Sequence, residues 1–199
     1  MAISYPLALP NSTTIRSIDF SAINAVAYSR SPFTFSGQAH AYAGQIWSAD
    51  ITLKPMRRVD AEKWVAFLLS CRGQFGTFLM GDPMASSVRG TATTATITGS
   101  AGGNTVSAVV ASGATLLAGD MFQLGTGSDA TLHKVLADYT GTGSGANLEI
   151  WPALRKARSS VSADLTSAAG LFRLKSNETN WSVNNLAVYG ITFGAVEAA

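Results

Sequence analysis

Trp47-Ser48-Ala49-Asp50-Ile51-Thr52-Leu53 is the stretch with the clearest structural pattern in this chain of 199 residues. Apolar residues occupy its odd-numbered positions, and polar residues occupy the positions between them. Because successive side chains of a β-strand point to opposite faces, this period of two predicts a half-buried strand. We place that strand at residues 46–53.

Lys54-Pro55-Met56 leads from this strand into the one helix that the sequence predicts, over residues 60–69. We expect Asp60 to cap its N-terminus, and Arg72 and Gly73 to suit its C-terminal end, with Gly73 in the left-handed conformation. Apolar side chains at helical spacing predict a wide buried stripe, in which Trp64 is a core anchor and Cys71 a buried structural thiol. The stripe consists of Trp64, Val65, Phe67, Leu68, Leu69 and Cys71.

Further extended segments are expected where short runs alternate with clusters of Gly, Asn, Asp and Ser, which favour turns. They lie at residues 24–29, 33–36, 76–80, 121–125, 131–138 and 147–151. The segments in the middle of the chain are short and rich in Thr, which suits a small barrel or sandwich. We also expect residues 76–80 to pair with residues 187–193.

Composition divides the chain into three blocks. Residues 1–88 hold most of the aromatic residues and the helix, residues 89–150 are mainly Thr, Ser, Gly and Ala, and aromatic strands return from about residue 165. We therefore predict a mainly β fold with a split domain. Residues 1–88 and 165–199 form a β-sandwich with one packed α-helix, and residues 89–164 form an inserted small β-barrel domain.

The overall composition excludes several classes of protein. Charged residues make up 13% of the chain, against roughly 25% in an average soluble domain, while apolar residues make up 47%. This balance excludes a disordered chain. No apolar run approaches the ~20 residues that a membrane-spanning helix needs. A net charge of +2 is too balanced for a protein that binds nucleic acid by neutralising phosphates. So few charges predict that much of the surface contacts other protein.

The single cysteine and the start of the chain add two exclusions. One cysteine allows neither an internal disulfide framework nor a Cys-rich zinc site. Met1-Ala2-Ile3-Ser4-Tyr5-Pro6-Leu7 lacks the basic and apolar regions of a signal peptide. We therefore expect the protein to act where it is made, or to be carried out as part of an assembly.

The side chains that could carry catalysis are isolated from one another in the sequence. His40 is expected at an exposed strand position and His133 at a surface position, and neither has a partner at metal-ligand spacing. No G-x-S-x-G motif presents a serine nucleophile. The positions of Asp60 and Glu62 in the first helical turn explain those two acids. The sequence predicts no enzyme and no catalytic, cofactor-binding or metal-ligating residue.

Two other local patterns have structural interpretations. Gly141-Thr142-Gly143-Ser144-Gly145-Ala146-Asn147 is similar to a phosphate-binding loop, but it lacks the Lys-Ser/Thr of a P-loop and is better explained as a hairpin loop. Two basic clusters, Arg57-Arg58 and Arg155-Lys156-Ala157-Arg158, are more readily explained as solvated or interface surface than as nucleic-acid contacts.

The order of these segments carries a further signal. The strand from Trp47 and the predicted helix are followed by Arg72-Gly73-Gln74-Phe75-Gly76-Thr77-Phe78-Leu79-Met80-Gly81-Asp82-Pro83. After these come the Gly/Thr-rich insert with Gly119-Asp120-Met121-Phe122-Gln123-Leu124-Gly125, then Leu148-Glu149-Ile150-Trp151-Pro152-Ala153-Leu154-Arg155, and last Val188-Tyr189-Gly190-Ile191-Thr192-Phe193. Over nearly the whole chain this order resembles the distal tail protein family of long non-contractile-tailed (siphovirus-type) phages. The resemblance implies a tail-tube-like β-sandwich with one helix and a second β domain.

The resemblance also implies a function. Members of this family form a homohexameric ring at the distal end of the virion's tail, where the ring joins the tail tube protein to the tip hub protein. Its lumen passes the tape measure protein and then DNA, without specific DNA binding and without a cofactor. The subunit would be made in the host cytoplasm. Closing a ring through sheet edges would also remove the hazard of unpaired strands.

Two alternatives to a distal tail protein stay open. The first is another tail ring protein, such as the tube or terminator protein, because these share one sandwich fold. The second is a carbohydrate-binding β module for host attachment, which exposed aromatic side chains arranged as a sugar platform would favour. The sequence argues against such a platform, since Trp47, Trp64 and Trp151 lie in apolar patterns typical of a core.

Overall fold

The computed structural model describes residues 3–198, and strands dominate it. The elements in chain order are β1 (Leu7–Ala8), β2 (Ile15–Arg30), β3 (Gly37–Leu53), β4 (Met56–Arg57), α1 (Arg58–Ser70), β5 (Thr77–Met80), β6 (Ala95–Gly99), β7 (Thr105–Val110), β8 (Thr115–Leu116), β9 (Met121–Leu124), β10 (Thr131–Val135), β11 (Tyr139–Thr140), β12 (Ala146–Trp151), β13 (Arg158–Asp164), β14 (Gly170–Leu174), β15 (Trp181–Val183) and β16 (Val188–Glu197). The predicted fold class, mainly β with one packed helix and a small barrel, is confirmed.

Eight strands form the larger sheet, in the order β1-β5-β14-β16-β3-β2, with β4 and β15 also paired to β16. The prediction that residues 76–80 pair with residues 187–193 is wrong, because β14 lies between β5 and β16. Leu171, Phe172 and Leu174 are all buried, as expected for an apolar strand in the middle of a sheet. The predicted strand at residues 46–53 is the inner part of the much longer β3.

The helix α1 packs on this sheet through aromatic side chains. Trp64 is fully buried, and its ring centroid lies 6.0 Å from that of Phe193 on β16. The Phe67 and Phe78 rings meet edge to face at 5.4 Å. The Trp64 Nε1 donates a 2.8 Å hydrogen bond to the Thr14 Oγ1. The predicted role of Trp64 as a core residue is confirmed.

The helix ends differ from the prediction in two respects. Asp60 is not the N-cap: the helix begins at Arg58, so Asp60 lies inside the first turn, where it contacts the Lys63 Nζ at 3.2 Å. Leu69 is 56% exposed, because a residue one position after the buried Leu68 is turned by about 100° around the helix. The predicted left-handed Gly73 is confirmed, with a φ of 65°.

Six short strands close into a barrel in the order β10-β12-β7-β6-β13-β9, and β9 pairs with β10 to complete it. The barrel has its own apolar core, which includes Ile97, Phe122, Leu124, Leu148 and Ile150. All six strands lie between Ala95 and Asp164. The Val88 N–H donates to the Leu165 carbonyl oxygen at 2.9 Å, so the chain enters and leaves the barrel side by side.

The barrel packs directly against the sheet. The Trp47 Nε1 on β3 donates to the Leu132 carbonyl oxygen on β10 at 3.0 Å, and the Leu171 N–H donates to the Ala130 carbonyl oxygen at 3.2 Å. A Cβ at Gly170 would lie 2.9 Å from the Leu132 Cβ, so glycine allows this close approach. Met121 and Leu132 of the barrel accordingly belong to the core of the sheet.

Candidate assembly surface

The long hairpin β2–β3 extends beyond the body of the protein, and we call its outer part, residues 22–46, the arm. Residues 22–44 are exposed apart from the half-buried Ser31, whereas Trp47 is buried. Each arm strand of about nine residues is about 30 Å long at the usual rise per residue. Arg30 is the only Asp, Glu, Lys or Arg residue of the arm.

Within residues 3–198, neither edge of the arm has a further strand paired to it. The strand β2 is the last strand of the sheet, so its outer edge is unpaired. On the other side, β16 pairs with β3 only from Thr52 to Ser48, and β3 continues to Gly37 without it. Two free edges on one exposed hairpin can pair with strands of another molecule.

The outer arm presents two different faces, because its side chains alternate along both strands. One face carries aromatic, branched and small side chains, from Val26 and Tyr28 with their cross-strand partners Ala41 and Ala39. The opposite face carries the pairs Ala27–His40 and Ser29–Gln38.

The tip of the arm is a turn over residues 31–36. The Ser31 N–H donates to the Ser36 carbonyl oxygen at 2.9 Å, and Phe35 has a φ of 56°. The expectation of an extended segment at residues 33–36 is therefore wrong, since this segment reverses the chain. Phe33 is 92% exposed, and the Arg30 guanidinium lies 4.8 Å from the centre of the Phe35 ring.

The root of the arm is held by side chains from distant parts of the chain. The Glu197 carboxylate accepts a 3.1 Å hydrogen bond from the Trp47 N–H and a 2.9 Å bond from Arg155. Arg155 also donates to the Gln45 carbonyl oxygen at 2.7 Å. The Trp151 Nε1 donates to the Asn24 Oδ1 at 2.8 Å. Both arm strands are thus fixed where they leave the body.

A cleft of about 570 Å³ lies between the inner part of β2 and the barrel. Phe20, Trp47 and Trp151 give it aromatic walls, and Asp82 and Lys134 place opposite charges in its lining. The indole N–H groups of both tryptophans already donate to partners within the chain.

The two histidines lie in opposite environments. His40 is exposed on the arm, as predicted. The expectation that His133 is a surface residue is wrong, because its side chain is fully buried and stacks on Phe122 at 5.6 Å. Its ring nitrogens lie 2.8 Å from the Pro152 carbonyl oxygen and 3.0 Å from the Thr131 Oγ1. Burial is the main cause that lowers the pKa of His133 to about 4.

The other candidate chemical groups have structural roles. Cys71 is buried as predicted, and burial raises the pKa of its thiol to about 11, which makes it a poor nucleophile at neutral pH. The basic cluster at residues 155–158 is only partly solvated: Lys156 is exposed and Arg155 is half-buried. All three cations form ion pairs, Arg155 with Glu197, and Lys156 and Arg158 with Asp129.

Within residues 3–198, no three His, Cys, Asp or Glu side chains cluster as metal ligands would. The described chain also has no helix with the length and apolar character to cross a membrane.

Sequence reasoning found only part of the arm, as an extended segment at residues 24–29 and an exposed strand position at His40. The available signal was a run of 25 residues from Ala22 to Ile46 with a single charge, in which Ala39, Ala41 and Ala43 alternate with other residues. That alternation is typical of a strand, but its lack of large apolar residues hides it from a search for buried strands.

Comparison with models of known protein families finds no match to this chain. Comparison with curated proteins likewise finds none.

Proposed function

We propose that this chain is a structural ring subunit of a phage tail tip, of the distal tail type, and that the arm makes the main contacts between subunits. The observation that carries this proposal is the arm itself, a long exposed hairpin with two free edges and one charged residue. The sequence resemblance to distal tail proteins implies that such a ring lies at the distal end of a phage tail.

The two free edges suit a ring better than a symmetric pair. One edge belongs to β2 and the other to β3, so the β2 edge of one copy can pair with the β3 edge of the next. Such a head-to-tail contact uses two different surfaces and forms a closed ring when its rotation returns to the first copy. Because β2 and β3 are antiparallel, neighbouring arms that point the same way also pair antiparallel.

The chemistry of the arm fits a channel through which a polymer moves. A wall of such arms would carry one cationic side chain per copy, Arg30, at the tip of the hairpin. Cations that follow a phosphate backbone would hold DNA in place, since phosphate neutralisation dominates non-specific binding. A wall with so few charges allows the tape measure protein and DNA to pass without specific binding.

The neighbours in this proposal are the tail tube protein on one side and the tip hub protein on the other, with six copies in the ring. Symmetry and copy number in the assembled particle test this directly. We expect one ring of six at the distal end of the tail tube. Many stacked rings would identify a tube protein, and a single copy or absence from the particle would overturn the proposal.

A carbohydrate-binding module is the second candidate, and the cleft is the observation in its favour. Its aromatic walls resemble a sugar site, although Trp47 is buried and Trp151 is half-buried. The most exposed tryptophan with a described side chain is Trp181, at 41%, and it lies elsewhere on β15. Binding of the isolated protein to a glycan array, lost in Trp151→Ala and kept in Trp181→Ala, would favour this candidate over the ring.

A further inference from the structure

The ladder between β16 and β3 ends at the root of the arm. Its last backbone pair is Val196 with Ser48. At the next position the Glu197 carboxylate, not a strand, accepts the Trp47 N–H at 3.1 Å. Where the arm begins, the hydrogen-bond partner of the β3 backbone is therefore a side chain and no longer the backbone of β16.

The barrel supplies the cation that holds this carboxylate. Arg155 donates from one nitrogen to the Glu197 carboxylate at 2.9 Å and to the Gln45 carbonyl oxygen at 2.7 Å. The Gln45 side chain in turn accepts the Ala153 N–H at 2.7 Å. The segment after β12 is thus bonded to β3 by both backbone and side-chain groups.

The same segment also holds the other arm strand, through the bond from Trp151 to Asn24. Immediately beyond these bonds the ladder between β2 and β3 is irregular. Asn24 pairs with Gln45, whereas Val26 already pairs with Ala41. Between these two pairs the chain advances by two positions along β2 and by four positions along β3. Such irregularities bend and weaken a strand pair.

We propose that Arg155 and Glu197 form a latch that fixes the direction of the arm relative to the barrel. When the latch opens, residues 45–47 of β3 are released from the barrel, and the whole arm turns at its root, on the body side of the irregular register. The latch is a conformational device of the single chain and does not depend on the ring.

Because the Glu197 carboxylate is buried, loss of this ion pair has a large energetic cost at the root of the arm. The Glu197 side chain is 3% exposed and that of Arg155 is 26% exposed. Removing Arg155 leaves the Glu197 charge in a buried site without compensation, which is strongly unfavourable. The pair is also not fully satisfied, because the buried Nε of Arg155 has no hydrogen-bond partner among the described residues. An unsatisfied buried donor raises the free energy of the closed latch and makes an alternative arrangement of Arg155 less costly.

Distances between two nitroxide labels, measured by pulsed electron paramagnetic resonance on the isolated chain, test the latch. One label is attached at Ser36→Cys on the arm tip and the other at Ser112→Cys on an exposed barrel loop. The native Cys71 is buried, so we expect it to remain unlabelled. We expect one narrow distance distribution for the unmodified latch, and a broad or two-population distribution for Arg155→Met.

The matched control is Lys156→Met, which removes the neighbouring cation without touching the arm and should keep the narrow distribution. Because Arg155→Met leaves Glu197 buried alone, Arg155→Met/Glu197→Leu provides a version of the open latch without a buried charge. A narrow, unchanged distribution in either folded variant overturns the proposal. Failure of both variants to fold also overturns it, since the pair is then part of the core and not a latch.

Discussion

The Nδ1 of His133 on β10 donates a 2.8 Å hydrogen bond to the carbonyl oxygen of Pro152, which directly follows β12. A carbonyl oxygen only accepts, so Nδ1 carries the proton of the neutral ring. The Nε2 is then an acceptor, and the Thr131 hydroxyl, which lies 3.0 Å from Nε2 and 3.3 Å from the Leu124 carbonyl oxygen, can donate its one proton to it. Both nitrogens of the neutral imidazole can thus be satisfied, whereas a second proton would reverse the bond to Thr131 and place a charge in a buried site.

The first prediction is that the fold loses stability as the pH falls from 6.5 towards 4. Burial, and to a smaller extent the nearby Arg155 and Arg158, lower the pKa of His133 to about 4 in the folded protein, while the Pro152 hydrogen bond partly opposes this shift. An unfolded histidine has a pKa near 6.5, so between these values the unfolded chain binds a proton that the folded chain does not. This contribution amounts to about 3 kcal/mol across the window. Urea denaturation at a series of pH values measures it.

The control for this prediction compares the two histidines. His133→Gln is expected to lower the stability at pH 7 but to reduce the pH slope between 4 and 6.5 by up to about 1.4 kcal/mol per pH unit. His40→Gln changes an exposed arm residue and should leave the slope as it is in the original chain. An unchanged slope in His133→Gln would show that other groups carry the acid sensitivity.

The strand and the helix in the body of the fold were predictable because buried elements have a periodic pattern of apolar residues in the sequence. The alternation from Trp47 to Leu53 and the helical stripe around Trp64 both reflect contact with a core, and both predictions are confirmed. The environment of His133 was predicted wrongly because a single histidine in a strand does not form such a pattern. Its burial depends on Pro152, which is 19 residues away in the sequence.

The candidate surface was harder to predict for the same physical reason. Beyond its root, where Asn24 and Gln45 are bonded to the barrel, the arm is exposed among the described residues, so no pattern of large apolar residues identifies it. The latch is also invisible in the sequence, because Glu197 lies 150 residues from Trp47. The low overall charge did indicate an uncharged surface, but not its place on one hairpin.

The second prediction concerns the helix. Trp64→Ala should cost ~3–5 kcal/mol, because it removes a fully buried indole together with its bond to Thr14. We expect insoluble or unfolded protein, or a large drop in the melting temperature measured by circular dichroism. Leu69→Ala on the exposed side of the same helix is the matched control and should change stability little. A Trp64→Ala variant with an unchanged melting temperature would show that the packing of the helix is misassigned.

The third prediction is that the chain without residues 89–164 still folds as a β protein. The Val88–Leu165 hydrogen bond brings the two cut ends together, so a short Gly/Ser linker can join them. The truncated chain should be less stable, since it loses the ion pair between Arg155 and Glu197 and exposes apolar residues of the sheet core that pack against Met121 and Leu132. Circular dichroism tests folding, and an unfolded truncated chain would contradict the division into a split domain and an insert.

A fourth prediction concerns the same ion pair. Glu197→Gln should lower the melting temperature of the full chain, because it breaks the pair with Arg155. The same substitution should change the melting temperature of the truncated chain little, because Arg155 is absent there. An equal drop in both backgrounds would show that Arg155 does not compensate Glu197.

The last prediction separates the assembly of the arm from its folding. If copies meet through backbone edges and uncharged side chains, Ala27→Glu and Ala41→Glu should leave the isolated chain as stable as before, since both positions are exposed, yet prevent its incorporation into the tail ring. A carboxylate that a neighbouring copy covers without supplying a cation is strongly unfavourable. Ser112→Glu on the barrel adds the same charge away from the arm and should still assemble.

Raising the salt concentration should not dissolve a ring of the original chain, because salt weakens mainly exposed ion pairs and the arm contains a single charge. Incorporation is measured by counting copies in purified particles. Normal incorporation of both arm variants, or a ring that dissociates at high salt, would place the subunit contacts on the charged surface of the body instead.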